Sequence, residues 1–386
     1  MTVDAEFKKV NHFRAFPEES SHLDQPMFLG NDISIARYDQ QKHKVFHKLT
    51  ETHLAFFWRP QEINLQKDWV DFNSMRPELR KIFIDNIKYQ IVLDSVQGRA
   101  PNVALLPITS LPELEAWIVT WSFYETIHSN SYTHIIRSIT SNPHEIFDDI
   151  KLHPEIMKRA RSVTAYYDRL IFIQQCYQST GEGVRQFKGK SIEVNLSSLK
   201  KALVLTLHAI NALESIRFHV SFACNFAFAE AGLMIGCAKI MKLIARDEAL
   251  HATSTSQMLN IIMRGEDGDS ELTQIAHDCL PEAKKIFMSC VRQEKEWAHY
   301  ILRDASIPGL NKEQLCDYID YLAYRNMSQV GLTYDVKKSS HCIPWIENYL
   351  SSNKVQNAPQ ESEVTSYLSG QVNTNICNED LSSTSL

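Results

Sequence analysis

Trp117-Ile118-Val119-Thr120-Trp121-Ser122-Phe123-Tyr124-Glu125-Thr126-Ile127-His128 and Leu243-Ile244-Ala245-Arg246-Asp247-Glu248-Ala249-Leu250-His251 decide how this chain is read. Each lies in an apolar stretch with helical spacing and carries Glu-x-x-His. On an α-helix, a carboxylate and an imidazole three residues apart share a face. Two such helices packed together aim two carboxylates and two imidazoles at one buried point. That donor set suits a pair of iron or manganese ions.

The motif alone is weak evidence. Random pairing of 26 glutamates with 15 histidines in 386 residues gives about one Glu-x-x-His, and the chain has four. Glu19-Ser20-Ser21-His22 follows Pro17 in a polar segment where no helix is expected. Glu296-Trp297-Ala298-His299 follows Gln293, Glu294 and Lys295, which read as a solvated helix face. The other two copies bury their charge, and a buried charge needs a partner or a metal.

Two further acids complete the set. Asp94 lies in Ile91-Val92-Leu93-Asp94-Ser95-Val96, and Glu214 in Ala212-Leu213-Glu214-Ser215-Ile216. Acids in such apolar surroundings are uncommon unless paired or metal-bound. Asp94 precedes Glu125 by 31 residues, and Glu214 precedes Glu248 by 34. Each helix pair thus supplies one carboxylate and then one Glu-x-x-His, as in ferritin-like di-iron bundles, a known pattern matched here. The competing reading is a set of buried ion pairs with Arg137, Arg217 or Arg246. It suits any one acid alone better than four acids and two histidines in this order. Tyr132 follows Glu125 and His128 on the same helical stripe, which puts a phenol one turn from the metal pair. Phe218, Phe222 and Ile244 flank Glu214 and Glu248 at helical spacing and are expected to wall the site off from water.

Composition agrees. Gly is 12 and Pro 13 in 386 residues, with 44% hydrophobic residues, so helix breakers are few and a large core is available. A net charge of −6 with both signs interspersed argues against nucleic acid or an anionic membrane as a partner. Eight cysteines without a C-x-x-C pair read as reduced thiols, and the N-terminus has no apolar signal core. The expectation is a soluble, cytoplasmic protein.

Along the chain, residues 1–30 read as an arm, 31–350 as one helical domain and 351–386 as a disordered tail. Helices are expected over Ala36–Phe57, Leu79–Gln97, Leu111–Ile139, Pro154–Gln178, Leu199–Ala229, Leu233–Met263, Leu272–Arg303 and Asn311–Val330. A small hairpin is expected near 183–194. The fold class is all-α: a ferritin-like helical bundle with extra helices.

Longer motifs add a resemblance. Ala36-Arg37-Tyr38-Asp39, Phe56-Phe57-Trp58-Arg59-Pro60, Leu93-Asp94-Ser95-Val96-Gln97-Gly98-Arg99, Ser131-Tyr132-Thr133-His134, Ala245-Arg246-Asp247-Glu248-Ala249-Leu250-His251 and Ala358-Pro359-Gln360-Glu361 together resemble the small (β) subunit of class I ribonucleotide reductase. Over nearly the whole chain it is most like the class Ia type of proteobacteria and T-even phages. The resemblance implies that Asp94, Glu125, His128, Glu214, Glu248 and His251 bind two irons in an oxo-bridged di-iron centre, and that Fe(II) and O2 yield a stable radical on Tyr132. It implies a radical-transfer route through Trp58, Asp247 and the tail residues Glu361 and Tyr367. It implies a homodimer, a separate large (α) subunit that holds the substrate site, and reduction of ribonucleoside diphosphates. A ferredoxin-like or other reductant would maintain the cofactor, and manganese is an alternative metal. Three departures stand out. Asn130 replaces an Arg and Tyr124 a small Ser, and the terminus Asn378–Leu386 is less acidic than usual and lacks an aromatic residue.

Overall fold

The computed structural model describes residues 22–335 and 343–350. Helices dominate it. In chain order they are α1 (Lys44–Ala55), α2 (Gln66–Ser74), α3 (Pro77–Gln97), α4 (Ala100–Leu105), α5 (Pro112–Ile139), α6 (Pro143–Ile150) and α7 (Pro154–Thr180). The hairpin β1 (Gly183–Phe187) and β2 (Lys190–Val194) follows. Then come α8 (Leu196–Ala212), a π-helical turn (Leu213–Arg217), α9 (Phe218–Glu230), α10 (Ile235–Met263), α11 (Ser270–Asp278), α12 (Leu280–Ile301), α13 (Lys312–Gln329) and the short α14 (Glu347–Leu350).

Local chemistry sets the boundaries. Pro77, Pro112, Pro143 and Pro154 open helices at positions where the missing N–H has no intrahelical partner. Asn195 and Asn311 form capping boxes with Ser198 and Gln314. In the hairpin turn, Lys188 and Gly189 both have positive φ, 49° and 77°, which matches the right-handed strand twist.

Three expectations need correction. The first helix begins at Lys44 rather than Ala36, because side chains take the carbonyls a helix would use. His22 Nε2 lies 2.7 Å from the Gln40 carbonyl, and Gln41 donates to that of Tyr38 at 2.8 Å. The stretch Leu272–Arg303 is two helices, broken before Pro281, which cannot donate to a preceding turn. The stretch Leu199–Ala229 is interrupted by the π turn. Ahead of α1, Met27 and Phe28 are fully buried, and Phe28 bridges to Thr109.

Helices α3, α5 and α10 pack together with α8, the π turn and α9 around one apolar core. Its largest side chains include Trp58, Trp117, Trp121 and Trp297, all fully buried. Among the described residues, no helix is long and apolar enough to cross a membrane, and six cysteines are free.

Candidate metal centre

Six residues from four elements meet in the core. Asp94 comes from α3, Glu125 and His128 from α5, Glu214 from the π turn, and Glu248 and His251 from α10. All six are completely buried. Asp94, Glu125, His128 and Glu248 offer ligand atoms within 4.8 Å of one another, and so do Glu125, Glu214, Glu248 and His251. Glu125 and Glu248 belong to both groups and so bridge one to the other.

Both imidazoles present Nδ1 to those bridges. His128 Nδ1 lies 3.1 Å from Glu248 Oε1 and 3.4 Å from Glu125 Oε2. His251 Nδ1 lies 2.8 Å from Glu248 Oε2 and 3.2 Å from Glu125 Oε1. Trp121 Nε1 donates to Glu125 Oε1 at 2.9 Å. Gln97 donates to Glu214 and accepts from the Tyr167 hydroxyl at 2.9 Å.

The donor set fits metal. Both Asp94 oxygens and Glu214 Oε2 are buried without a hydrogen-bond partner, and Glu125 Oε2 and Glu248 Oε1 meet only the imidazole edge of His128. Such atoms are expensive in a core unless something binds them. Burial raises the pKa of Asp94 and of Glu214 well above the carboxylate range, and the charges of Glu125 and Glu248 add to it. For Glu248 burial acts the same way, but His251 and His128 outweigh it and hold the pKa below the usual range. Burial disfavours a charged His128, yet its contacts with Asp247, Glu125 and Glu248 win and raise its pKa well above normal.

Asp247 is a second hub. Its Oδ2 accepts from Trp58 Nε1 at 2.8 Å and lies 3.2 Å from His128 Nε2. Its Oδ1 accepts from Arg246 at 3.0 and 3.1 Å. Arg246 is held in turn by the Phe56 carbonyl at 2.8 Å and lies 4.1 Å above the Phe56 ring. Burial opposes the Asp247 charge, but Arg246 and the histidines outweigh it and lower the pKa. A carboxylate on the outer nitrogen of a ligand histidine fixes its tautomer and orientation.

The arginines of the competing reading lie elsewhere. Arg217 pairs with Glu294 at 2.6 Å, Arg246 with Asp247, and Arg137 is exposed. Tyr132 is fully buried beside Asp94, and burial first, then that negative charge, raises its phenol pKa well above normal. Phe218, Phe222 and Ile244 are all buried, with the two phenyl rings stacked at 6.0 Å.

Other placements differ from the sequence reading. Gln293 and Glu294 are buried rather than solvated, because they face Arg159 and Arg217, whereas Glu296 and His299 are exposed as expected. Asn130 is exposed. Tyr124 is buried, donates to the His53 carbonyl and stacks on the His53 ring at 3.5 Å. Gln97 and Trp121 went unrecognised as supports, although Gln97 stands three residues after Asp94 and Trp121 four before Glu125, each on its ligand's helical face. Nothing in the local sequence points to His53 as a neighbour of Asp247, whereas Arg246 adjoins it in the chain and was among the arginines of the competing reading. Glu361 and Tyr367 lie outside the described residues, as does the less acidic terminus.

A family model described as the ribonucleotide reductase small chain matches residues 36–336. The chain is 51% identical over 364 residues to ribonucleoside-diphosphate reductase 1 subunit beta of Salmonella typhimurium, covering 94% of this chain and 96% of that one. It is 45% identical over 365 residues to the ribonucleoside-diphosphate reductase subunit beta of Enterobacteria phage T4, covering 92% and 94%. The solved ribonucleotide reductase R2 subunit from Clostridium botulinum shares the fold, with a TM-score of 0.72 at 22% identity over 89% of this chain and 99% of that one. The match runs through α1 to α13 and takes in every residue of the buried cluster. The chain therefore belongs to the ribonucleotide reductase small-chain family, the class I β subunits.

Proposed function

We propose that this chain generates and exports the radical used by a ribonucleoside-diphosphate reductase. The observation that carries the reading is a sealed cluster of four carboxylates and two imidazoles, with Tyr132 beside Asp94 and the Trp58–Asp247–His128 chain reaching the same group through His128. Asp94, Glu125, His128 and Glu248 would hold one iron, and Glu125, Glu214, Glu248 and His251 the second. Two irons bound there would supply, with O2, the oxidising power to remove one electron from a phenol. Manganese is the alternative occupant, since this donor set binds either metal.

Tyr132 would give its electron to that oxidant and its hydroxyl proton to the adjacent Asp94 carboxylate, leaving a neutral phenoxyl radical. Its burial, together with Phe218, Phe222 and Ile244, keeps water and reductants away. Trp58 is the outward carrier. Oxidation makes the indole N–H acidic, and Asp247 Oδ2, 2.8 Å from Nε1, is in hydrogen-bond position to take the proton. Arg246 and His128 keep Asp247 ionised and ready to accept it. In residues 351–386, Glu361 and Tyr367 continue the transfer to a large subunit that holds the substrate. Residues 31–350 act as one metal-binding domain behind the arm of residues 1–30. The exposed Leu54, Phe57, Val119 and Phe123 give a homodimer an apolar face, with Phe57 and Phe123 stacked at 6.3 Å. A ferredoxin-like or other reductant restores the cofactor, and the cytoplasm is the setting.

Electron paramagnetic resonance after adding Fe(II) and O2 to metal-free protein tests the reading. A stable tyrosyl signal is expected, and it should vanish in Tyr132→Phe. A signal that survives the substitution moves the radical to another residue. Iron uptake without any signal removes the proposed mechanism.

A further inference from the structure

The π turn Leu213–Arg217 carries Glu214 and breaks the i→i−4 ladder of the surrounding helix. Such a turn frees backbone carbonyls, and it persists only where something recaptures them. Here side chains do so. Asn326, on α13, donates Nδ2 to the Ser215 carbonyl at 2.8 Å. His219 Nδ1 lies 3.1 Å from the Glu214 carbonyl, and the Ser215 hydroxyl donates to the Asn211 carbonyl at 2.6 Å.

The far end of the turn is clamped. Arg217 Nη1 donates to Glu294 Oε1 at 2.6 Å and to the Tyr89 hydroxyl at 3.2 Å. Tyr89 donates to the same Glu294 oxygen at 2.6 Å. Arg217 Nη2 reaches Ser162 Oγ at 3.0 Å and Gln293 Oε1 at 3.2 Å. Arg217 is 3% exposed and Glu294 is fully buried. A buried pair of this kind adds little net stability over apolar residues of the same shape. Its planar fork does fix direction. Residues from α3, α7, α12 and α13 thus grip a turn of five residues that holds a single ligand.

We propose that Arg217 and Asn326 are positioning residues that hold the π turn open and so aim Glu214 at the second metal position. The inference rests on the two-metal reading of the cluster. It predicts an asymmetry. Asp94, Glu125, His128 and Glu248 take no part in the turn, so the first metal position is independent of it.

The test is a Mn(II) titration of the metal-free full chain, with free ion followed by electron paramagnetic resonance. Wild type is compared with Asn326→Ala, Arg217→Met and Arg217→Lys. Wild type should bind two ions per chain. Asn326→Ala and Arg217→Met should bind the first ion normally and the second about 10–100-fold more weakly, the usual effect of losing an outer partner. Arg217→Lys, which keeps the charge, should recover part of the loss. Circular dichroism establishes that each variant is folded, and half-buried Asn326 remains informative if Arg217→Met unfolds. A folded Asn326→Ala that binds both ions normally, or loses both equally, overturns the proposal. Wild type that binds no Mn(II) sinks the two-metal reading instead, and the proposal with it.

Discussion

Asp247 shows how much one buried side chain can hold. It accepts from an indole and a guanidinium, and it faces the outer nitrogen of a proposed ligand histidine. Asp247→Ala leaves Arg246 charged in the core and the Trp58 N–H without an acceptor. It should cost about 3–5 kcal/mol in urea unfolding of the metal-free protein. Asp247→Asn keeps one oxygen and should cost less, about 1–3 kcal/mol. A loss below about 1 kcal/mol in the alanine variant would remove Asp247 as a hub. Tyr124 makes the opposite point. The sequence marked it as a departure near Glu125, but its partner lies 71 residues away, where spacing carries no signal. Its hydroxyl is committed to the His53 carbonyl, so its proton has no carboxylate to go to, whereas Tyr132 has Asp94 beside it. Tyr124→Phe should therefore leave the radical spectrum unchanged. The stability cost should be about 1 kcal/mol, since the His53 carbonyl still accepts from Phe56 N at 3.0 Å. An altered spectrum would place spin on Tyr124.

The long helices were legible because their apolar spacing and capping residues agree. The π turn was not, because Leu199–Ala229 is mostly apolar on either side of Glu214 and nothing local marks an extra residue in the turn. Arg217 and Asn326 reveal it only once tertiary contacts are known. The buried side of α12 was hidden for the same reason: Glu294 and Gln293 look solvated until Arg217 and Arg159 reach them. The helix α8 also carries a titratable group that is not one of the six cluster residues. His208 is buried against Phe287 with neither ring nitrogen hydrogen-bonded, and burial pushes its pKa down from 6.5 to about 4. The unfolded chain takes up this proton near the ordinary value, and the folded chain does not until about 4. The neutral imidazole's contribution is thus complete above 6.5 and is lost as pH falls through the folded value. The full loss is about 3 kcal/mol. Urea unfolding from neutral to acidic pH should show this decline in wild type and a flatter profile in His208→Leu. Parallel profiles would mean that His208 has the same pKa in the folded as in the unfolded chain.

At the scale of the molecule, the cluster is sealed, so a radical made there as proposed would have to leave. Tyr132 and Trp58 are both fully buried, so neither can touch a second protein directly. A radical used elsewhere needs one more carrier that reaches the partner, and Tyr367 is the candidate supplied by the resemblance. Deleting residues 351–386 removes Tyr367 and Glu361 and leaves every residue of the metal cluster and of its supports. The truncated protein should bind two metals and give the Tyr132 signal at wild-type yield. Its association with the large subunit should weaken at least about 100-fold, or about 2.7 kcal/mol, and turnover should be lost. Tyr367→Phe separates the two duties of the segment: it should keep the association and lose turnover. The pair of measurements is decisive because it fails in different ways. Turnover that survives truncation places the exit elsewhere and removes the role given to Tyr367. Turnover that survives Tyr367→Phe, but not truncation, leaves the segment as a docking device alone.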